Sequence, residues 1–124
     1  MTQIAHFQVA RRGSICIGKL AGEIDISNAE AVEDALEGAM GNTDSGLILD
    51  LSQVSYVDSA GIKVLFRLAN RLQTRRQRLR IVIPETAVIK VVLTVTGLER
   101  VVPSSASVDD AISDLTGSGV SLPR

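Results

Sequence analysis

Two short apolar runs with an amphipathic stretch between them constrain this chain more than any other feature. Gly46-Leu-Ile-Leu-Asp-Leu51 and Leu79-Arg-Ile-Val-Ile83 carry few polar residues, the pattern of strands covered on both faces. Between them, from Ser59 to about Arg75, Ile62, Leu65, Leu68, Ala69 and Leu72 recur at three-to-four spacing. That spacing lines one face of a helix. Strands alternating with helices imply a largely parallel sheet on which the helices pack.

The rest of the chain extends the pattern. His6–Ala10 and Ser14–Ala21 read as strands joined through Arg11-Arg12-Gly13, so the sheet opens with a hairpin and is mixed. Ser27-Asn-Ala-Glu30 has the form of a capping box. The helix it opens places Ala29, Val32, Leu36 and Ala39 or Met40 on one face, and Gly41-Asn42 suits a left-handed close. Ser52 to Asp58 reads as a loop. Pro84 suits the first turn of a helix carrying Val88, Val91, Val92 and Val95 and ending at Gly97. A short strand near Val101-Val102 and a helix from Ser107 to Leu115 complete the pattern. The expectation is one α/β domain over residues 1–116, with a mixed sheet and about four helices, and a flexible tail over 117–124. Whether helices cover one face of the sheet or both is left open.

Several function classes find no support. With a formal net charge of −1, no global field draws the chain of 124 residues to nucleic acid or an anionic membrane. No apolar run approaches the roughly 18–20 residues that span a bilayer. The first ten residues lack the pattern of a signal peptide, so a reducing cytoplasm is the expected location. Cys16 has no disulfide partner, and with His6 as the sole histidine no His/Cys metal cluster assembles. Cys16 fits a small core position between Ile15 and Ile17. Asp109-Asp110 suits the first turn of the last helix, where acids favour the dipole. Arg71, Arg75, Arg76, Arg78 and Arg80 form a basic group without interleaved aromatics, the character of a solvated helix end and not of a base-stacking surface. Neither a cofactor nor catalysis is expected, because no phosphate loop, nucleophile elbow or poised nucleophile–base pair is present.

The informative stretch runs from Leu49 to Leu65. A buried strand ends, the chain crosses the sheet edge, and Asp58-Ser-Ala-Gly61 opens the longest helix. Ser59 then stands at or beside the N-cap with its hydroxyl near the surface, and Ala60 and Gly61 are small enough for close approach of a partner. Capping alone would justify Asp58 or Ser59, at about 1 kcal/mol.

Asp50-Leu-Ser-x-Val-x-Tyr-Val-Asp-Ser-x-Gly61 followed by an apolar helix resembles the signature of the anti-sigma factor antagonist (STAS) family. Gly22-Glu-Ile-Asp25 and Thr96-Gly-Leu98 resemble further elements of that family, in the same order. The resemblance implies a binding domain that engages an anti-sigma factor, itself a serine kinase, and so frees a sigma factor. The kinase would phosphorylate Ser59 and break the complex, and a serine phosphatase would restore it. Asp58 and Asp25 fall on the acidic contacts, and Ile24, Ala60, Gly61 and Ile62 complete the implied partner surface. One departure is Ala60, where many members carry a second hydroxyl. A STAS module of a larger sensory scaffold or a transporter-associated complex is an alternative. A remote one is a receiver-like phosphorelay domain using Asp50, with Glu23 and Asp25 as magnesium ligands. The switch reading expects the end of the second strand and the start of the long helix to meet at one sheet edge.

Overall fold

In a computed structural model of the chain, residues 6–116 are described. Five strands, β1 (His6–Arg12), β2 (Ile15–Ile24), β3 (Gly46–Val57), β4 (Arg78–Val82) and β5 (Ser104–Ser105), form one sheet in chain order. β1 and β2 pair antiparallel, and β2 to β5 pair parallel. Arg12 and Ile15 are partners across a tight turn whose Gly13 has φ +61°, a conformation that costs glycine little. The helices are α1 (Ala29–Ala39), α2 (Ser59–Thr74), α3 (Val88–Val95), α4 (Leu98–Val101) and α5 (Val108–Thr116).

Helices cover both faces of the central strands. Leu47, Leu49 and Leu51 of β3 join Leu79 and Ile81 of β4 beneath α1 to α4, whose Val32, Leu36, Ile62, Leu65, Leu68, Leu72, Ile89, Leu93 and Leu98 share that core. Ile48 and Val82 face the other way, with Ile15 and Ile17, beneath Ala111 of α5. This explains why β3 is buried without interruption from Gly46 to Leu51. Leu47, Leu49 and Leu68 are inaccessible, and each such side chain stabilises the fold by roughly 1.5–3 kcal/mol. Cys16 is fully buried, and burial raises its thiol above the usual cysteine range.

Several local expectations are corrected. The stretch from Ser52 is no loop, because β3 runs on to Val57, paired with β2 alone once β4 has ended. With one neighbour fewer, that half tolerates the exposed polar residues that read as loop. The capping box does not form. Asn28 is the N-cap of α1, and the Ser27 hydroxyl turns to Asp25. Gly41 does not adopt the left-handed form; its N–H donates to the buried Asp44 carboxylate at 2.7 Å. Arg11 donates to the same carboxylate at 2.7 Å and holds it below the usual carboxylate range. Pro84 precedes α3 by a turn, accepting from the Ala87 N–H at 3.0 Å. α3 buries Ile89 and Leu93, leaving Val88, Val91 and Val95 exposed. Val101 ends α4, and the last strand lies at Ser104–Ser105. The tail expected at 117–124 lies outside the described residues.

Candidate functional site at the carboxyl edge of the sheet

β2 and β3 are parallel and end level, with Ile24 beside Val57. The chain leaving each strand therefore emerges at the same edge, and one side chain ties them together. Asp58 is the N-cap of α2: its Oδ1 accepts from the Gly61 N–H at 3.0 Å. Its Oδ2 accepts from the Ile26 N–H at 3.1 Å, and its own N–H donates to the Ile24 carbonyl at 3.1 Å. A single carboxylate thus starts the helix and fixes the loop after β2. Asp58→Ala removes a cap and a cross-loop bond together. It is expected to cost about 1–2 kcal/mol in urea unfolding, against a near-neutral change for an ordinary surface site.

Because Asp58 takes the cap, Ser59 is released from it. Ser59 is exposed, and among the described residues its hydroxyl makes no hydrogen bond. The first N–H groups of a helix have no partner within it, so those at Ser59 and Ala60 face the same corner. A phosphoryl group there would meet free N–H donors and the positive end of the helix dipole. Lys63, one turn further on, is exposed and without an ion pair among the described residues.

On the other side of the corner Asp25 organises the turn into α1. Its Oδ1 accepts from the Ser27 N–H at 2.9 Å, and its carbonyl accepts from the N–H groups of Asn28 and Ala29. Asn28 is buried; it accepts from the Asp25 N–H and donates to the Glu23 carbonyl. Asp25 stays half-buried, so the corner presents Asp25 and Asp58 close to Ser59.

The residues anticipated at a partner surface divide by depth. Asp25, Asp58 and Ala60 are partly exposed, and Ser59 is exposed. Ile24 is 1% exposed, Ile62 8%, and Gly61 is buried, so these three shape the corner from beneath. Gly61 is small for an internal reason. A Cβ there would lie 2.7 Å from Val57 Cγ1 and 2.9 Å from Ile24 Cγ2. Two exposed apolar residues of this edge escape a sequence reading: Ile26, 82% exposed, and Tyr56, 49% exposed and paired with Glu23. Alternation in Glu23-Ile-Asp-Ile26 places Ile26 with Ile24 in the core; only the turn at Asp25 brings it out.

Asp50 lies elsewhere. It is buried in the middle of β3, paired with Lys19 and Val82, and its Oδ1 accepts from the Ser52 N–H. Glu23 is beside Tyr56, six residues along the strand or about 20 Å away. The acids of a receiver-like centre are therefore not assembled, and that reading of Asp50 is withdrawn.

The STAS domain family profile matches residues 6–111, and the chain belongs to that family. It is similar to the anti-sigma-F factor antagonist RsfB of Mycobacterium tuberculosis, 30% identical over 64 residues, 52% of each chain. The match thus spans about half the length of that relative. The crystal structure of an anti-sigma factor antagonist from Mycobacterium paratuberculosis has a TM-score of 0.80 at 25% identity, covering 90% of this chain and 94% of that one. The anti-sigma factor antagonist SpoIIAA shares the fold in its unphosphorylated form, with TM-score 0.70, 20% identity and coverage of 90% and 97%. Its phosphorylated form, described as a Bacillus cell fate determinant, gives 0.63 at 19% identity, covering 89% and 99%. Among the described residues no helix is long and apolar enough to cross a membrane.

Proposed function

We propose that this chain is an anti-sigma factor antagonist, a cytoplasmic binding domain switched by phosphorylation of Ser59. In its unmodified form it binds an anti-sigma factor with serine kinase activity and so frees a sigma factor; a serine phosphatase resets it. The observation that carries this reading is the exposed Ser59 hydroxyl at the start of α2, without a hydrogen bond among the described residues and beside a carboxylate that already supplies the cap. Kinship with proteins named as anti-sigma factor antagonists supports the class of partner.

Electrostatics supplies the mechanism. Phosphorylation adds about −1.5 to −2 charges at neutral pH. The helix N-terminus accommodates them, so the fold survives. The docking surface does not, because Asp25 and Asp58 already make the corner negative and a partner must desolvate the added charge. A penalty of about 2–3 kcal/mol weakens binding roughly a hundredfold without a large conformational change.

Asp25→Lys is expected to weaken partner binding about tenfold, because it removes the carboxylate that accepts from Ser27 and orders the loop at the docking corner. Asp25→Asn keeps the acceptor for Ser27 and separates charge from turn geometry. The defining test is copurification from the native cell followed by intact-mass measurement of this chain. A small kinase-type anti-sigma factor should accompany the unmodified chain and be absent from the phosphorylated one. Equal recovery with both forms would overturn the reading.

A further inference from the structure

Ion pairs lace α1 to α2, and the lacing stops one rung short of Ser59. Arg67 of α2 donates to both carboxylate oxygens of Glu33 of α1, at 3.1 and 2.7 Å, and Arg71 is paired with Glu37. Both partners advance by four residues from one rung to the next, so the two helices run parallel. The next rung toward the start of α2 sets Lys63 against Ala29. Ala29 is buried and carries no charge, and Lys63 has no ion pair among the described residues. Glu30, next to Ala29, is exposed and likewise without an ion pair among them. Asp58 is already committed to the Gly61 and Ile26 N–H groups. A helical side chain leans toward the N-terminus and covers the turn before its own Cα. The Lys63 ammonium is thereby brought toward Ser59, four residues earlier on the same face. That is the positive end of the helix dipole, where a cation without a counter-charge is disfavoured.

We infer that Lys63 is an intramolecular clamp for phosphate on Ser59, an inference that rests on Ser59 being the modified residue. An anion four residues N-terminal to a lysine is the favourable order of such a pair, and a phosphate brings three strong acceptor oxygens to it. The free N–H groups at the start of α2 hold the phosphate from one side, and the ammonium closes on it from the other. Asp25, Asp58 and Glu30 are the acids at this end of α1 and α2, and Lys63 is the cation that offsets them when the phosphate arrives. The clamp lets the corner carry the added charge without opening. The phosphorylated chain keeps the bond from the Ile26 N–H to Asp58 and is ready to bind again once the phosphate is removed.

The test uses the full chain with phosphoserine installed in place of Ser59 during synthesis, so that no kinase is needed. In phosphorus NMR the phosphate of Lys63→Gln should titrate at a pH higher than that of the wild type by about 0.4, because the ammonium favours the dianion. Lys63→Arg should follow the wild type. The phosphorylated Lys63→Gln chain should melt about 2–3 °C below the phosphorylated wild type and exchange its Ile26 amide faster, whereas the two unmodified chains should melt together. Equal phosphate titrations in wild type and Lys63→Gln would overturn the clamp. So would an equal loss of stability in the unmodified chains, which would assign Lys63 to the fold itself, through Glu30. Affinity of the same samples for the anti-sigma partner reports the switch separately. An installed phosphate that leaves binding unchanged would overturn the Ser59 reading, while the titration still decides the clamp.

Discussion

Ser59→Ala is expected to fold normally, bind the anti-sigma partner as the wild type does, and fail to release it when ATP is added. The stability change should lie within about ±0.5 kcal/mol, because the hydroxyl makes no hydrogen bond among the described residues and Asp58 provides the cap. The functional change should be large, since the proposed switch has the wild type lose roughly a hundredfold in affinity on modification and the variant has no acceptor to modify. Ala60 offers no substitute hydroxyl beside it. Ser59→Asp should also fold, because an acid in the first helical turn is favourable by about 0.3–1 kcal/mol. It should bind more weakly than the wild type, yet less weakly than the phosphorylated chain, since it carries less charge. Release of Ser59→Ala at the wild-type rate would remove Ser59 from the mechanism.

Gly61→Val is expected to be the most damaging single substitution at the site. Glycine in a helix interior ordinarily costs about 1 kcal/mol relative to alanine, so replacement alone would stabilise α2 slightly. Packing decides otherwise. The first added carbon already meets Val57 Cγ1 at 2.7 Å, Ile24 Cγ2 at 2.9 Å and the Ile24 carbonyl at 3.2 Å. Relief requires α2 to move off the ends of β2 and β3, which also breaks the Asp58 bonds to Ile24 and Ile26. A net loss of about 2–3 kcal/mol is expected in urea unfolding, accompanied by weaker partner binding. Gly61→Ala should show a smaller loss of the same sign. A Gly61→Val chain as stable as the wild type would mean that the corner is looser than its geometry implies.

The parts of this molecule that could be read from residues alone are those where one physical requirement dominates. The three-to-four spacing from Ile62 to Leu72 and the apolar runs at Leu47 and Leu79 face a core, and burial alone fixes them. Where several arrangements satisfy the local chemistry, tertiary contacts choose. Ser27 could have capped α1, but Asp25 offers its hydroxyl a nearer carboxylate and Asn28 fills the cap position. The sequence of α3 is apolar nearly all round, and the larger Ile89 and Leu93 take the core while Val88, Val91 and Val95 are left outside. The polar stretch after Leu51 looks like loop because β4 stops there, a fact held by no residue of that stretch. At the site, the helix start at Asp58-Ser59 was legible, since an acid or hydroxyl before an apolar helix has few other uses. The second bond of Asp58, to the Ile26 N–H, was not, because it joins residues 32 positions apart.

The central claim is that charge placed on Ser59 alone breaks the complex. It is tested most directly by measuring the affinity of the purified chain for its anti-sigma partner before and after incubation with kinase and ATP, with phosphosite mapping on the same samples. The account predicts phosphate on Ser59 at a yield that tracks an approximately hundredfold loss of affinity. Ser52 is only partly exposed and lies within β3, and Ser55 is exposed on the same strand, so these are the competing acceptors. Phosphate on Ser52 or Ser55 with Ser59 bare, or full modification of Ser59 with affinity unchanged, would contradict it.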